Sequence, residues 1–295
     1  MNTIFFGTPR FAQIVLEKLI DSPYKPSLVI TAPDAKVGRG QKLAPSPVKQ
    51  TAHACGIEIL QPKKLSEKNL KSNFSQENLL EASISNLKFD LAILVAYGKI
   101  IPSYILSLPK YGFVNVHPSL LPQYRGPSPI QSVILTGEEK TGVTIIKLDE
   151  EVDHGPILTK KKITISPDDT HASLIESLGK IGADLLLHTL PKYLEGTIKP
   201  KSQNHRMATF TKHITKLDGF IGLANLPYPE KLDRMIRAYY PWPTVWTKVD
   251  GKIIKFLPGD LIQPEGKKPM TIREFLNGYP QAKYLIEKLF STLIW

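Results

Sequence analysis

NTIFFGTPRFAQIVLEKL, residues 2–19, decides the fold. Asn2 to Phe6 is a short, mostly apolar run that stops at Gly7. After Thr8-Pro9, Phe11, Ile14, Val15 and Leu19 recur at helical spacing, with Glu17 and Lys18 on the polar side. Apolar strand, tight glycine turn and amphipathic helix make the opening unit of a parallel α/β sheet. The turn GTPRFA (7–12) holds a single glycine. It lacks the Gly-x-Gly-x-x-Gly spacing of dinucleotide binding, so no nicotinamide is expected.

Outward from this unit the pattern repeats. Leu28 to Thr31 reads as a second buried strand, Val48 to Ala54 as a helix and Ile57 to Leu60 as a third strand. DLAILVA (90–96) is apolar without alternation, as in a sheet covered on both faces. Tyr111 to His117, Val143 to Leu148 and Ile157 to Ile165 read as further extended segments. Ser166 to Thr170 supplies capping residues and early negative charge for a helix with Leu174, Leu178, Ile181, Leu185 and Leu186 on one face. Glu195 to Asn204 is polar and broken by glycine and proline, a linker composition. Beyond it, a short helix is expected over Pro229 to Ala238. Two strands, Thr244 to Lys248 and Lys252 to Phe256, flank the hairpin signal Asp250-Gly251. The chain thus divides into a mostly parallel α/β domain over 1–190, a linker over 191–205 and a small β-rich domain over 206–295.

Charge points to partners. The chain carries 38 Lys and Arg against 27 acids, a net +11, and residues 206–295 hold 14 bases against 8 acids. So +6 of the excess sits in the last 90 residues, where it would draw a polyanion such as nucleic acid. Solubility alone explains the same charge. The single cysteine, Cys55, closes no disulfide, and no Cys or His cluster has zinc spacing, so no metal is expected. No apolar run reaches membrane-spanning length and Met1 to Phe6 has no signal-peptide layout, which points to the cytoplasm and no membrane contact.

The chemistry concentrates at Asn115-Val116-His117-Pro118. Residues two apart on a strand face the same way, so Asn115 and His117 project together at the carboxyl end of a strand, the edge where α/β sheets bind ligands. An amide can donate to a developing oxyanion and an imidazole can move a proton. A core histidine beside a turn asparagine is the commoner reading of the two residues alone, and the loop around them is what favours a site. The prolines that follow, Pro118, Pro122, Pro127 and Pro129, favour a pre-shaped pocket. Asp153 stands before His154-Gly155-Pro156, where a turn could aim it at the same edge. There it would orient the His117 ring and favour its charged form. A solvated acidic loop is the alternative. Pro33 to Lys49 is a long loop with Lys36, Arg39, Lys42 and Lys49 against Asp34. Gly38 and Gly40 free Arg39 to reach phosphate, or the loop is simply solvated. The aromatic run from Tyr239 to Trp246 reads as packing rather than a base-stacking platform.

Together these stretches resemble the methionyl-tRNA formyltransferase family. The resemblance lies in FFGTPRFA (5–12), PDAKVGRGQKLAPSPVK (33–49), LVAYGKIIP (94–102), NVHPSLLPQYRGPSPIQ (115–131), TGVTIIKLDEEVDHGPIL (141–158) and IRAYYPWPTVW (236–246). It covers nearly the whole chain. It implies a Rossmann-like α/β domain followed by a small OB-like β-barrel that binds tRNA. It also implies transfer of formyl from 10-formyltetrahydrofolate to the amine of methionyl initiator tRNA, by a monomer without metal. Asn115, His117 and Asp153 match the family's catalytic three. Ser119, Leu120, Leu121 and Pro122 match its folate-contacting segment, and Val95, Tyr97 and Gly98 border the pterin pocket. Arg39, Lys42 and Lys36 match the basic loop that meets the tRNA. Two departures stand out. The segment after Gly259 passes almost directly into Leu261 to Gly278, so the barrel is shortened. Asp218-Gly219-Phe220-Ile221 is followed by Gly222-Leu223-Ala224 rather than by the family's acidic and Trp residues. Rival readings are a formyltransferase for a small amine, such as glycinamide ribonucleotide or an amino-sugar nucleotide, and a non-catalytic RNA-binding relative.

Overall fold

The computed structural model describes residues 1–38, 40–65, 89–222 and 226–289. The chain forms two compact units. The first comprises Met1–Pro127, Thr141–Ile163 and Ile175–Thr211, and the second Ser128–Lys140, Thr164–Leu174 and Lys212–Trp295. The strands of the first half are β1 (Thr3–Gly7), β2 (Leu28–Ile30), β3 (Ala35–Val37), β4 (Lys42–Ala44), β5 (Glu58–Leu60), β6 (Leu91–Val95), β7 (Phe113–His117), β8 (Lys140–Lys147) and β9 (Ile157–Thr164). Seven of them form one sheet in the order β5-β2-β1-β6-β7-β8-β9. The pairings from β5 to β7 are all parallel, and β8 runs antiparallel to β7. This is the mostly parallel α/β sheet that the opening strand, turn and helix imply.

Every residue of β1 is buried. The first helix, α1 (Arg10–Ile20), buries Phe11, Ile14, Val15 and Leu19 as its spacing demands, and Ala12 and Leu16 with them. Each such Phe, Ile, Val or Leu side chain contributes about 1.5–3 kcal/mol. A Cβ on Gly7 would stand 2.6 Å from the Phe5 ring and 2.8 Å from the Ala12 Cβ. Close approach of strand and helix therefore requires glycine at that turn. The next helices are α2 (Pro47–Ala54), α3 (Ser103–Leu106), α4 (Pro129–Thr136) and α5 (His171–Leu194). Along α5, Gly182 brings the helix backbone against β7, where an added Cβ would be 2.8 Å from Val116. That packing fixes the strand that carries Asn115 and His117.

Two stretches differ from their sequence readings. The loop from Pro33 to Lys49 contains a hairpin, with Val37 paired to Lys42 and Lys36 to Leu43. The stretch expected to be a linker, 191–205, begins as the last turn of α5. It then pairs with the edge strand: Ile157 and Lys201 exchange backbone hydrogen bonds of 2.7 and 2.8 Å. Polar composition concealed this pairing because its donors and acceptors are peptide groups.

In the second unit, α6 (Pro229–Ala238) packs on α4. Its sheet is antiparallel, in the order β10 (Val245–Val249), β11 (Lys252–Leu257), β12 (Leu261–Pro264), β13 (Met270–Thr271). Asp250 and Gly251 turn between β10 and β11 with φ of 48° and 79°, the left-handed turn that the dipeptide signals. Helices α7 (Ile272–Gly278) and α8 (Lys283–Leu289) follow. In the aromatic run Tyr239 and Trp246 are buried, and the Trp246 Nε1 donates to the Lys216 carbonyl. Trp242 is 55% exposed, so packing accounts for only part of that run.

Candidate active site

Strand β7 ends with Asn115 and His117 on one face, both buried. The turn after β8 brings Asp153 back to them. Asn115 Nδ2 donates to Asp153 Oδ1 at 3.3 Å, and the same oxygen lies 3.5 Å from His117 Nδ1. The other oxygen, Oδ2, accepts from the Gly126 backbone N–H at 2.7 Å. His117 Nε2 is 2.9 Å from the Tyr124 carbonyl. A carbonyl can only accept, so Nε2 carries a proton and Nδ1 is the nitrogen turned toward the carboxylate. One amide, one imidazole and one carboxylate thus meet around Asp153 Oδ1. Asp153 itself has φ of 50°, in the left-handed region that aspartate enters more readily than most non-glycine residues.

The loop after His117 is tied down from within. Thr144 Oγ1 donates to the Ser119 carbonyl at 2.6 Å and accepts from Leu121 N at 3.2 Å. Ser119 is fully buried, and its hydroxyl donates to the Gln123 carbonyl. Leu121 is fully buried too, whereas Leu120 and Pro122 are half-buried. Of the four residues matched to the folate-contacting segment, Leu120 and Pro122 keep exposed surface. Val95 and Tyr97 are buried, with Gly98 exposed beside them. Tyr97 lies edge-on to Phe6 in the core, and its hydroxyl has no hydrogen-bond partner among the described residues. Burial pushes that phenol above its ordinary range.

Lys36 and Lys42 are exposed on the β3–β4 hairpin. Lys36 pairs with Leu43 and Val37 with Lys42, so the two lysines stand on opposite faces. Lys49 is not free for a ligand: it contacts both oxygens of Asp34 at 2.7 and 2.8 Å, and Gln61 donates to the same carboxylate. Those hydrogen bonds hold the Asp34 carboxyl below its ordinary value. Arg39 lies outside the described residues.

Sequence reading missed two residues of this site. Arg125 is 3% exposed and donates through Nη2 to Gln203 Oε1 at 2.8 Å. Gln203 Nε2 donates to the carbonyls of Asp153 and Gly155, both at 2.8 Å. Arg125 offered a signal, a charged residue inside a proline-rich loop that ends in glycine. Gln203 offered none, because it stands in a stretch that reads as linker. Among the described residues no cluster of three or more His, Cys, Asp or Glu could hold a metal, and no helix is long and apolar enough to cross a membrane.

A formyl transferase family model matches residues 1–190, which contain the β7 site. A methionyl-tRNA formyltransferase of Dictyoglomus thermophilum is 39% identical over 315 residues, spanning 95% of this chain and 97% of that one. The chain belongs to the methionyl-tRNA formyltransferase family. It shares its fold with other formyltransferases. A sugar N-formyltransferase from Shewanella sp. FDAARGOS_354 superposes with a TM-score of 0.63 at 16% identity, covering 87% of this chain and 96% of that one. An N-formyltransferase from Helicobacter canadensis, solved in complex with folinic acid and dTDP-3-aminofucose, superposes with a TM-score of 0.59 at 17% identity, covering 89% and 94%.

Proposed function

We propose that the β7 site transfers formyl from 10-formyltetrahydrofolate to the α-amine of methionyl initiator tRNA. The single observation that carries this reading is the convergence of Asn115, His117 and Asp153 on one carboxylate oxygen, in a chain of this family. A bound 10-formyl folate supplies the electrophilic carbonyl. Leu120 and Pro122 offer it apolar surface and Gly98 an open backbone.

Negative charge gathers on the formyl oxygen as the amine adds, and the residues divide the work. Asn115 Nδ2 has two hydrogens. One is on Asp153 and the other is left for that oxygen. His117 is engaged by Tyr124 through Nε2, so it reaches the oxygen through Nδ1, as the doubly protonated ring that the Asp153 carboxylate favours, and the 3.5 Å separation from Asp153 leaves that contact loose enough to share. Asp153 Oδ1 lies between them and accepts the proton that the attacking amine must lose; collapse of the tetrahedral adduct breaks the bond from the formyl carbon to N10, and that proton passes to N10 of the departing tetrahydrofolate. A donor aimed at a developing oxyanion is worth about 2.7–4 kcal/mol of barrier.

The exposed lysines Lys36 and Lys42, together with Arg39, give the hairpin the charge to meet the acceptor end of tRNA. The four-stranded antiparallel sheet is read as a shortened relative of the OB-like barrel, which adds basic surface for the tRNA body. We read the protein as a cytoplasmic monomer that needs no metal. Competition distinguishes this substrate from the small amines of related folds. Excess glycinamide ribonucleotide or amino-sugar nucleotide should leave formylation of methionyl-tRNA unchanged. Inhibition by either, with its own formylation, would transfer the assignment to that amine.

A further inference from the structure

Asp153 is gripped at two points, and both grips lead to Arg125. Its carboxylate accepts from the N–H of Gly126, the residue next to Arg125. Its backbone carbonyl accepts from Gln203, whose own oxygen accepts from Arg125. The contacts close into a ring: Asp153, Gly126, Arg125, Gln203 and back to Asp153. Arg125 is fixed in turn by the segment after Gln203. Its N–H donates to the Thr209 carbonyl at 2.9 Å, Thr211 N donates to its carbonyl at 2.8 Å, and its Nη2 lies 2.9 Å from His205 Nδ1. Among the described residues the guanidinium makes no ion pair, its Nε is buried without a partner, and its charge stands over the Phe210 ring, 5.9 Å from the centroid. Burying a cation without a carboxylate is a poor way to stabilise a fold, since an apolar side chain of similar volume does as well or better. Gln203 is 5% exposed and spends its whole amide on this ring. The residue it holds turns the chain in the left-handed region, with φ of 50°.

We infer that Gln203, locked by Arg125, is a positioning residue that sets Asp153 against Asn115 and His117 and acts on the reaction only through that carboxylate. The inference rests on the catalytic reading of Asp153 given above. Gln203 touches no reacting group, so its loss should act through misplacement. A displacement of about 1 Å at a catalytic group costs up to roughly a hundredfold in rate.

The test is a double-mutant cycle in single-turnover formylation of methionyl-tRNA, with thermal melts alongside. Gln203→Ala removes the whole contact. Gln203→Glu keeps an acceptor for Arg125 and loses the donors to Asp153 and Gly155, so it carries the test if the alanine variant folds poorly. Both should lose roughly tenfold to a hundredfold in kcat with little change in the folate KM. Placed on Asp153→Asn, either substitution should add almost nothing. The same loss factor on the Asp153→Asn background, or parent kcat in both Gln203 variants, overturns the proposal. Parent kcat in Asp153→Asn alone instead removes the catalytic reading on which the proposal rests.

Discussion

Replacing Asp153 by asparagine keeps the shape of the side chain and removes its charge where three groups meet. Oδ2 accepts the Gly126 N–H at 2.7 Å, and Oδ1 faces the Asn115 amide at 3.3 Å and His117 Nδ1 at 3.5 Å. An amide has one acceptor for these three donors and must choose. If its oxygen stays with Gly126, its NH₂ confronts the Asn115 NH₂ and turns His117 Nδ1 into an acceptor. If it flips, two N–H groups oppose each other across the Gly126 contact. Either way one buried donor is unsatisfied, which costs about 1–3 kcal/mol of stability. The chemical cost is larger. With His117 held as an acceptor and no carboxylate present, the site has neither the base for the amine proton nor a second donor for the formyl oxygen. General acid–base groups supply about 10²–10⁴ in rate, so roughly 2.7–5.4 kcal/mol of barrier is at stake. Single-turnover formylation of methionyl-tRNA at saturating folate donor reads that barrier, and a thermal melt shows that the variant is folded. A folded Asp153→Asn protein within about threefold of the parent rate would refute the reasoning.

Other outcomes follow from other contacts. Lys42→Ala and Lys36→Ala should weaken tRNA use without altering folate binding, each lowering the salt slope by at most about one; because the lysines stand on opposite faces their losses should be unequal, and slopes equal to the parent's in both would leave the hairpin merely solvated. Hydrogen bonds from Lys212 and Thr215 hold the Asp218 carboxyl down at about 2, against an ordinary 3.8. A depressed carboxyl stabilises the fold fully above its ordinary value and loses that contribution as pH falls through the folded one. Asp218→Asn should therefore lower Tm at pH 6, and the gap to the parent should close as pH falls from about 4 to 2; a gap independent of pH in thermal melts contradicts this. A Cβ at Gly155 would collide with the Lys147 carbonyl, so Gly155→Ala should lose about 1–3 kcal/mol in denaturant unfolding and disturb Asp153 two residues away; parent stability would contradict the packing.

Much of this was legible in the chain, for reasons that also explain the rest. Strand β1 and helix α1 announce themselves because burial on one face imposes a period, and DLAILVA because burial on both faces removes it. Asn115 and His117 could be placed on one face from spacing alone. Asp153 could be singled out among four nearby acids only because a Gly-Pro turn follows it, and its distance to His117 required the fold. The hairpin within residues 33–49 escaped because its strands are three residues long, each a single lysine with two apolar residues. Gln203 escaped for a different reason: its role is set by contacts 48 and 50 residues away in sequence, and an exposed glutamine looks no different.

The most direct test is transfer of labelled formyl from 10-formyltetrahydrofolate to methionyl initiator tRNA by the parent, Asn115→Ala and His117→Ala, with donor affinity measured in parallel. Rapid transfer by the parent, a loss of a hundredfold or more in each variant and an unchanged donor affinity are expected for groups that meet the formyl oxygen as charge develops. Parent-like turnover in either variant, or no transfer by the parent, would contradict the assignment.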